Sequence, residues 1–258
     1  MNIAMCTIAW KPTAIETVLP IIAAAGYDGA ELWGPHLDRF VSEHDSLDPL
    51  VEQLAKLGLR VPMVSAYFDL VNEPDEGLAV AMRHVHYALR LGAPFVRVFT
   101  GGGSSAAEPT VWDAVADVLA EICALAAPYG VDLALETHQG HLHDSTSGTL
   151  RLLQMIKAPN LGVNLDIYNL FAIGEDPLAA LEQLAPWLRI VHLKNARQLA
   201  GESQPCGIAE GDLDYCPFLR ALRERGYDGY LSVEWFGPEP ERAAVSELAS
   251  IRQMLTTG

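Results

Sequence analysis

Positive charge is scarce in this chain. Lysine and arginine number 17 against 33 aspartates and glutamates, giving a formal net charge of −16 over 258 residues. A nucleic-acid partner needs a basic surface that releases counterions from phosphates, so the charge argues strongly against that partner class and against a nuclease acting on abasic DNA. Long apolar runs are also missing: no stretch approaches the roughly 20 uninterrupted apolar residues that span a bilayer, and no basic segment leads into an apolar one at the start. A soluble, cytoplasmic chain with no membrane partner is therefore expected. Cysteine is limited to Cys6, Cys123, Cys206 and Cys216, without CxxC spacing and with Cys6 and Cys123 in apolar stretches. That pattern argues against a zinc ribbon and favours reduced thiols over disulfides. No linker-like or low-complexity tract interrupts the sequence, so one domain covering residues 1–258 is expected.

What is present is a half-hydrophobic chain, large enough to bury a sizeable core, in which strand-like and helix-like pieces alternate. Short apolar runs at 3–9, 29–33, 60–67, 95–100, 132–137, 161–167, 190–195 and 230–236 read as strands. Helical patterns fill 13–25, 47–57, 76–91, 111–127, 146–157, 176–187, 214–225 and 241–255, and residues 196–206 read as a loop. Gly26, Gly58, Gly92 and Gly226 stand where helices stop, and Pro177 falls in a first turn where a missing N–H is harmless. Eight strand-helix units in about 250 residues predict an α/β chain of the (β/α)8 TIM-barrel type. A doubly wound open sheet is the alternative, but the first βα turn lacks the glycine-rich phosphate fingerprint.

Four of the strand runs close on an ionisable residue: Glu136 in LALETH, Asp166 in VNLDIYN, His192 in IVHLKN and Glu234 in LSVEWFG. The C-terminal ends of barrel strands converge on one face, so these four can point at one centre. Three carboxylates buried together need a neutralising cation, and an oxygen-rich set with one imidazole suits a divalent metal. Mg2+ or Mn2+ matches the carboxylates, while the imidazole also admits Co2+ or Zn2+. Helix capping or internal pairing is the alternative for any one of them.

Other polar residues stand around this set. His138, two residues beyond Glu136, is the first candidate for general acid or base. Arg97 is placed to grip a substrate carboxylate and Lys194 to stabilise a developing enolate; for both, an internal salt bridge to a ligand carboxylate is the alternative. Tyr67, Phe236, Trp33 and His36 are candidates for the pocket walls. His141 and His143 imitate a metal motif but read as loop, because the strand-end set already accounts for one ion.

The segments CTIAW, ELWGPH, LETH, NLDIYN, DPLAALEQLAPWLRIVHLKN, AEGDLDY and SVEWFG run through nearly the whole chain. With them the sequence resembles the xylose isomerase-like barrels, which include sugar isomerases, ketose 3-epimerases, inosose dehydratases and abasic-site endonucleases. More narrowly it is similar to the bacterial 3-dehydroshikimate dehydratases. The resemblance implies that Glu136, Asp166, His192 and Glu234 bind the metal and that Tyr67, Arg97, His138, Lys194 and Phe236 line the substrate site. One position departs: Asn169 stands where those dehydratases carry a histidine, and an amide cannot shuttle a proton at neutral pH. The loop 196–206 is also short for the family.

The implied reaction is conversion of 3-dehydroshikimate to protocatechuate through a metal-stabilised enediolate. His138, or else Glu136 or Glu234, removes the proton beside the carbonyl, Lys194 supports the enediolate, and Arg97 holds the carboxylate. Asn169 offers a hydrogen bond to a substrate hydroxyl. The alternatives are a ketose 3-epimerase or isomerase and an inosose-type dehydratase; a neutral sugar would give Arg97 and Lys194 little to do. The expected partner is a small carboxylated keto-cyclitol or keto-sugar, and assembly into a homo-oligomer is left open.

Overall fold

The computed structural model describes residues 1–257. Strand β1 (Asn2–Cys6) turns through a short 3-10 segment, Thr7–Trp10, into helix α1 (Ile15–Ala25), which stops at Gly26 with φ 95°. Then follow β2 (Gly29–Trp33), α2 (Gly34–His44), α3 (Asp48–Leu57), β3 (Met63–Ser65), α4 (Pro74–Leu91), β4 (Phe95–Val98) and α5 (Pro109–Ala126). The second half supplies β5 (Asp132–Glu136), α6 (Thr146–Ile156), β6 (Leu161–Asp166), α7 (Ile167–Ala172), α8 (Pro177–Leu184) and β7 (Leu188–Leu193). It closes with β8 (Asn195–Leu199), β9 (Glu202–Cys206), α9 (Cys216–Glu224), β10 (Tyr230–Val233) and α10 (Pro240–Thr257).

Eight strands form a closed barrel in the order β1-β10-β7-β6-β5-β4-β3-β2, and β8 and β9 form a separate two-stranded sheet. The barrel strands are apolar on both faces because helices cover the outside and side chains fill the inside; all six residues of β6 are buried. By contacts the chain groups into two compact units, residues 1–62 with 191–258 and residues 63–190.

Besides shifted bounds, such as β3 at Met63–Ser65, and the added short helix α7, three elements differ from the sequence reading. Residues 7–10 leave the first strand because the Thr7 hydroxyl accepts the Trp33 N–H at 2.9 Å, which ties the turn to the end of β2. Helix α2 starts directly at β2's end and stops at Asp45 in a left-handed conformation, φ 57°. The segment read as a loop at 196–206 is an antiparallel hairpin pairing Asn195 with Cys206 and Leu199 with Glu202. Its two-residue turn, Ala200–Gly201, has φ 52° and 87°, the positive angles a type I′ connection requires.

The base of that hairpin is fixed by Asn195. Its amide donates to the carbonyls of Ile208 and Leu213, and its carbonyl oxygen accepts the N–H groups of Ala196 and Leu213. A side-chain carbon at Gly211 would collide with Asn195. Tyr215 completes the clamp by donating its hydroxyl to the Lys194 carbonyl at 2.6 Å.

Candidate active site

In residues 63–190, Arg97 stands on β4 with Ser65 of β3 on one side and Ala134 of β5 on the other. Its guanidinium is 1% exposed and donates through Nη1 to Glu136 Oε2 at 2.8 Å. The same group lies 4.3 Å from the ring centre of Tyr67 and 4.5 Å from that of Phe99. Two aromatic faces and a carboxylate thus hold a buried cation in one orientation. Asp166, fully buried at the end of β6, caps α7 by accepting the Asn169 N–H on Oδ1 at 3.1 Å. The capping alternative therefore describes part of what this carboxylate does.

His138 is half-buried, donates its Nδ1–H to the Gln139 carbonyl at 2.6 Å and meets Phe99 edge-on. His141 donates to the Gly101 carbonyl at 2.8 Å and stacks on Phe99 at 4.4 Å. His143 is fully buried beside Thr100 Oγ1 at 3.3 Å. Burial holds His141 below the usual imidazole range and His143 well below it, so both are neutral at pH 7. Asn169 is 5% exposed; its side chain donates to the Thr137 carbonyl at 2.9 Å and its own carbonyl accepts from Gln139.

In residues 1–62 and 191–258, His192 and Glu234 are buried, with His192 Nδ1 3.4 Å from Glu234 Oε2. Lys194 Nζ lies 3.2 Å from Glu234 Oε2 and 5.5 Å from the ring centre of Phe236. Lys11 Nζ lies 5.8 Å from Trp33 and 5.9 Å from Phe236, so the three form an outer rim. His36 is not part of that rim. It is buried behind Trp33, with Nε2 3.1 Å from the Trp10 carbonyl and Nδ1 3.1 Å from Thr7 Oγ1, and burial lowers its pKa to about 4.

The pairing alternative for the two cations is thus realised: Arg97 pairs with Glu136 and Lys194 with Glu234. Glu136, Asp166, His192 and Glu234 are all buried, and each offers one ligand atom within 4.8 Å of the others. Three carboxylates and an imidazole at that spacing fit a divalent cation by the chemistry of the donor set. No described cluster of that kind includes His141 or His143.

Two residues central to this geometry were not among the sequence candidates. Phe99 lies against Arg97 and the histidine loop. Glu31, fully buried on β2, approaches His192 Nε2 at 2.8 Å. The sequence signal for Glu31 was its acid inside the apolar run GAELW.

A profile of the family described as xylose isomerase-like TIM barrel matches residues 19–254, and the chain belongs to that family. A 3-dehydroshikimate dehydratase of Bacillus anthracis is 27% identical over 92% of this chain and 91% of its own. A fructoselysine 3-epimerase of Escherichia coli O157:H7 is 22% identical over 99% and 98%. The crystal structure of the IOLI protein with a bound zinc atom shares the fold, with a TM-score of 0.84, 21% identity and coverage of 99% of this chain and 98% of that one.

Proposed function

We propose that the chain is an intracellular, metal-dependent dehydratase of a carboxylated keto-cyclitol, with 3-dehydroshikimate as substrate and protocatechuate as product, and that it works as a single barrel domain. The observation that carries this reading is the pair of cations against the ligand carboxylates: Arg97 at 2.8 Å from Glu136 and Lys194 at 3.2 Å from Glu234. Each cation keeps N–H donors beyond the one its carboxylate takes, so both can also bind a substrate carboxylate, which a neutral sugar does not offer. The 3-dehydroshikimate dehydratase relative supports the same choice.

In this reading Glu136, Asp166, His192 and Glu234 hold the ion, which supplies Lewis acidity beside the substrate carbonyl. His138 accepts the proton from the adjacent carbon through Nε2, since its Nδ1–H is engaged by Gln139. Glu136 and Glu234 are the other candidates for that base. Lys194 stabilises the enediolate, and Arg97, kept flat by Tyr67 and Phe99, orients the carboxylate; five N–H donors mean that the Glu136 pair does not exhaust a guanidinium. The abstracted proton leaves with the substrate hydroxyl as water, which aromatises the ring without an oxidant. Asn169 orients a substrate hydroxyl from a frame built on Thr137 and Asp166. Phe236 and Trp33 close the rim, and His36 holds Trp33 from behind.

The test is incubation with 3-dehydroshikimate after loading with Mg2+, Mn2+ or Co2+, followed by the ultraviolet absorbance of the product, with a chelated control. Chelator-sensitive formation of protocatechuate is expected. Absence of product with every ion would transfer the assignment to epimerisation or dehydration of a keto-sugar, the class to which the fructoselysine 3-epimerase relative points.

A further inference from the structure

We propose that Glu31 is a positioning residue for the metal centre: it accepts the Nε2 proton of His192 and so fixes the tautomer in which Nδ1 is the ion-binding atom. The inference rests on the reading of His192 as a ligand. Strand register builds the arrangement. Cys6 lies beside Glu31 across β1 and β2, Ser232 beside Ala4 across β10 and β1, and His192 beside Ser232 across β7 and β10. Ala4 lies two residues before Cys6 on β1, so Ser232 and His192 pair two positions earlier than Glu31, and their side chains reach its carboxylate across that stagger.

Three polar groups converge on the Glu31 carboxylate. Ser232 donates its hydroxyl to Oε2 at 2.6 Å, Cys6 donates its thiol to Oε1 at 3.5 Å, and His192 Nε2 lies 2.8 Å from Oε2. An ionised carboxylate only accepts, so it requires the hydrogen on Nε2 and leaves the lone pair on Nδ1. That lone pair faces Glu234 Oε2 at 3.4 Å, an arrangement suited to two ligands of one ion and unfavourable for two acceptors alone. A charge-assisted bond to the far nitrogen also makes the imidazole a stronger donor, and losing such a partner typically weakens metal binding about 10–100-fold. Ser232 and Cys6 leave Glu31 little freedom to turn away. Glu31 thus acts through His192 and needs no contact with substrate.

The experiment has two readouts that do not depend on turnover. Nitrogen-resolved NMR of histidine-labelled, metal-free protein reports the His192 tautomer in the unmodified chain; the form with hydrogen on Nε2 is expected. Titration of Glu31→Gln with Mn2+ by electron paramagnetic resonance, and with Co2+ by visible absorption, is expected to show binding weaker by about 10–100-fold than in the unmodified chain. An Nδ1–H tautomer, or equal affinity in the folded variant, overturns the inference and leaves the metal reading intact. A cobalt spectrum with a thiolate charge-transfer band also overturns it, because Cys6, Glu31 and Glu234 would then hold the ion themselves. Failure of the unmodified chain to bind either ion overturns both readings.

Discussion

Arg97 pairs with Glu136 and, in the proposed reaction, also holds the substrate carboxylate, and the two roles separate under mutation. Arg97→Met removes the cation but keeps a long apolar stem between Tyr67 and Phe99. Leaving Glu136 buried without its 2.8 Å partner is expected to cost about 3–5 kcal/mol of stability, read by urea unfolding of metal-free protein. Turnover of the carboxylated substrate should fall by at least about 100-fold while Mn2+ still binds, since one lost charge-assisted contact in a dry site is worth roughly 3 kcal/mol. Retention of full turnover would remove Arg97 from substrate binding. His36 gives a prediction of another kind. Its pKa is about 4 in the folded chain against 6.5 unfolded, so the folded form takes up its proton later as pH falls. The stability it contributes is therefore complete above about pH 6.5 and lost as pH falls toward 4, a change on the order of 3 kcal/mol. His143, also held neutral by burial, adds to the loss in the same direction. Stability measured between pH 7 and 4.5 should fall less steeply in His36→Gln than in the unmodified chain; parallel slopes would refute the assignment.

Among the elements, the hairpin turn offers a direct test of backbone chemistry. Ala200 holds φ 52°, a conformation that costs most L-residues about 1–2 kcal/mol and that asparagine adopts more readily. Ala200→Asn creates the Asn-Gly pair favoured in type I′ turns and should slow amide exchange across β8 and β9, with a gain of about 0.5–1 kcal/mol. Unchanged exchange would show that the turn is not what limits hairpin order. The same residue explains why the hairpin was not legible beforehand: Ala-Gly carries no turn signature, and β8 and β9 bury too little to alternate. Helix α2 escaped for a related reason, because Asp45 rather than glycine occupies its left-handed stop. The barrel strands were legible because burial on both faces writes a continuous apolar run. The four ligand candidates were legible because each interrupts such a run near its end. Glu31 was not, since it lies in the middle of β2 and its partners Cys6, Ser232 and His192 come from three other strands of the barrel.

For the molecule as a whole, the charge of −16 sets how an anion arrives. In the proposed reaction the Arg97 and Lys194 pairs would receive a carboxylate, but the surrounding field repels one. Long-range repulsion is screened over about 8 Å at physiological salt, so kcat/KM for a carboxylated substrate should rise as ionic strength increases from 10 to 200 mM, on the order of severalfold. A neutral keto-sugar should show a flat profile. A flat or falling profile with 3-dehydroshikimate would mean that local positive potential already governs capture. The clamp beneath the hairpin has a consequence for how this chain can change. Asn195, Gly211 and Tyr215 fix the peptide on both sides of Lys194, whereas Ala200 and Gly201 touch solvent at the far end of a two-stranded arm. Sequence length can therefore drift at the tip while the ammonium stays in register, which makes 200–201 the natural graft point for new loops and the clamp the part that a library should leave alone.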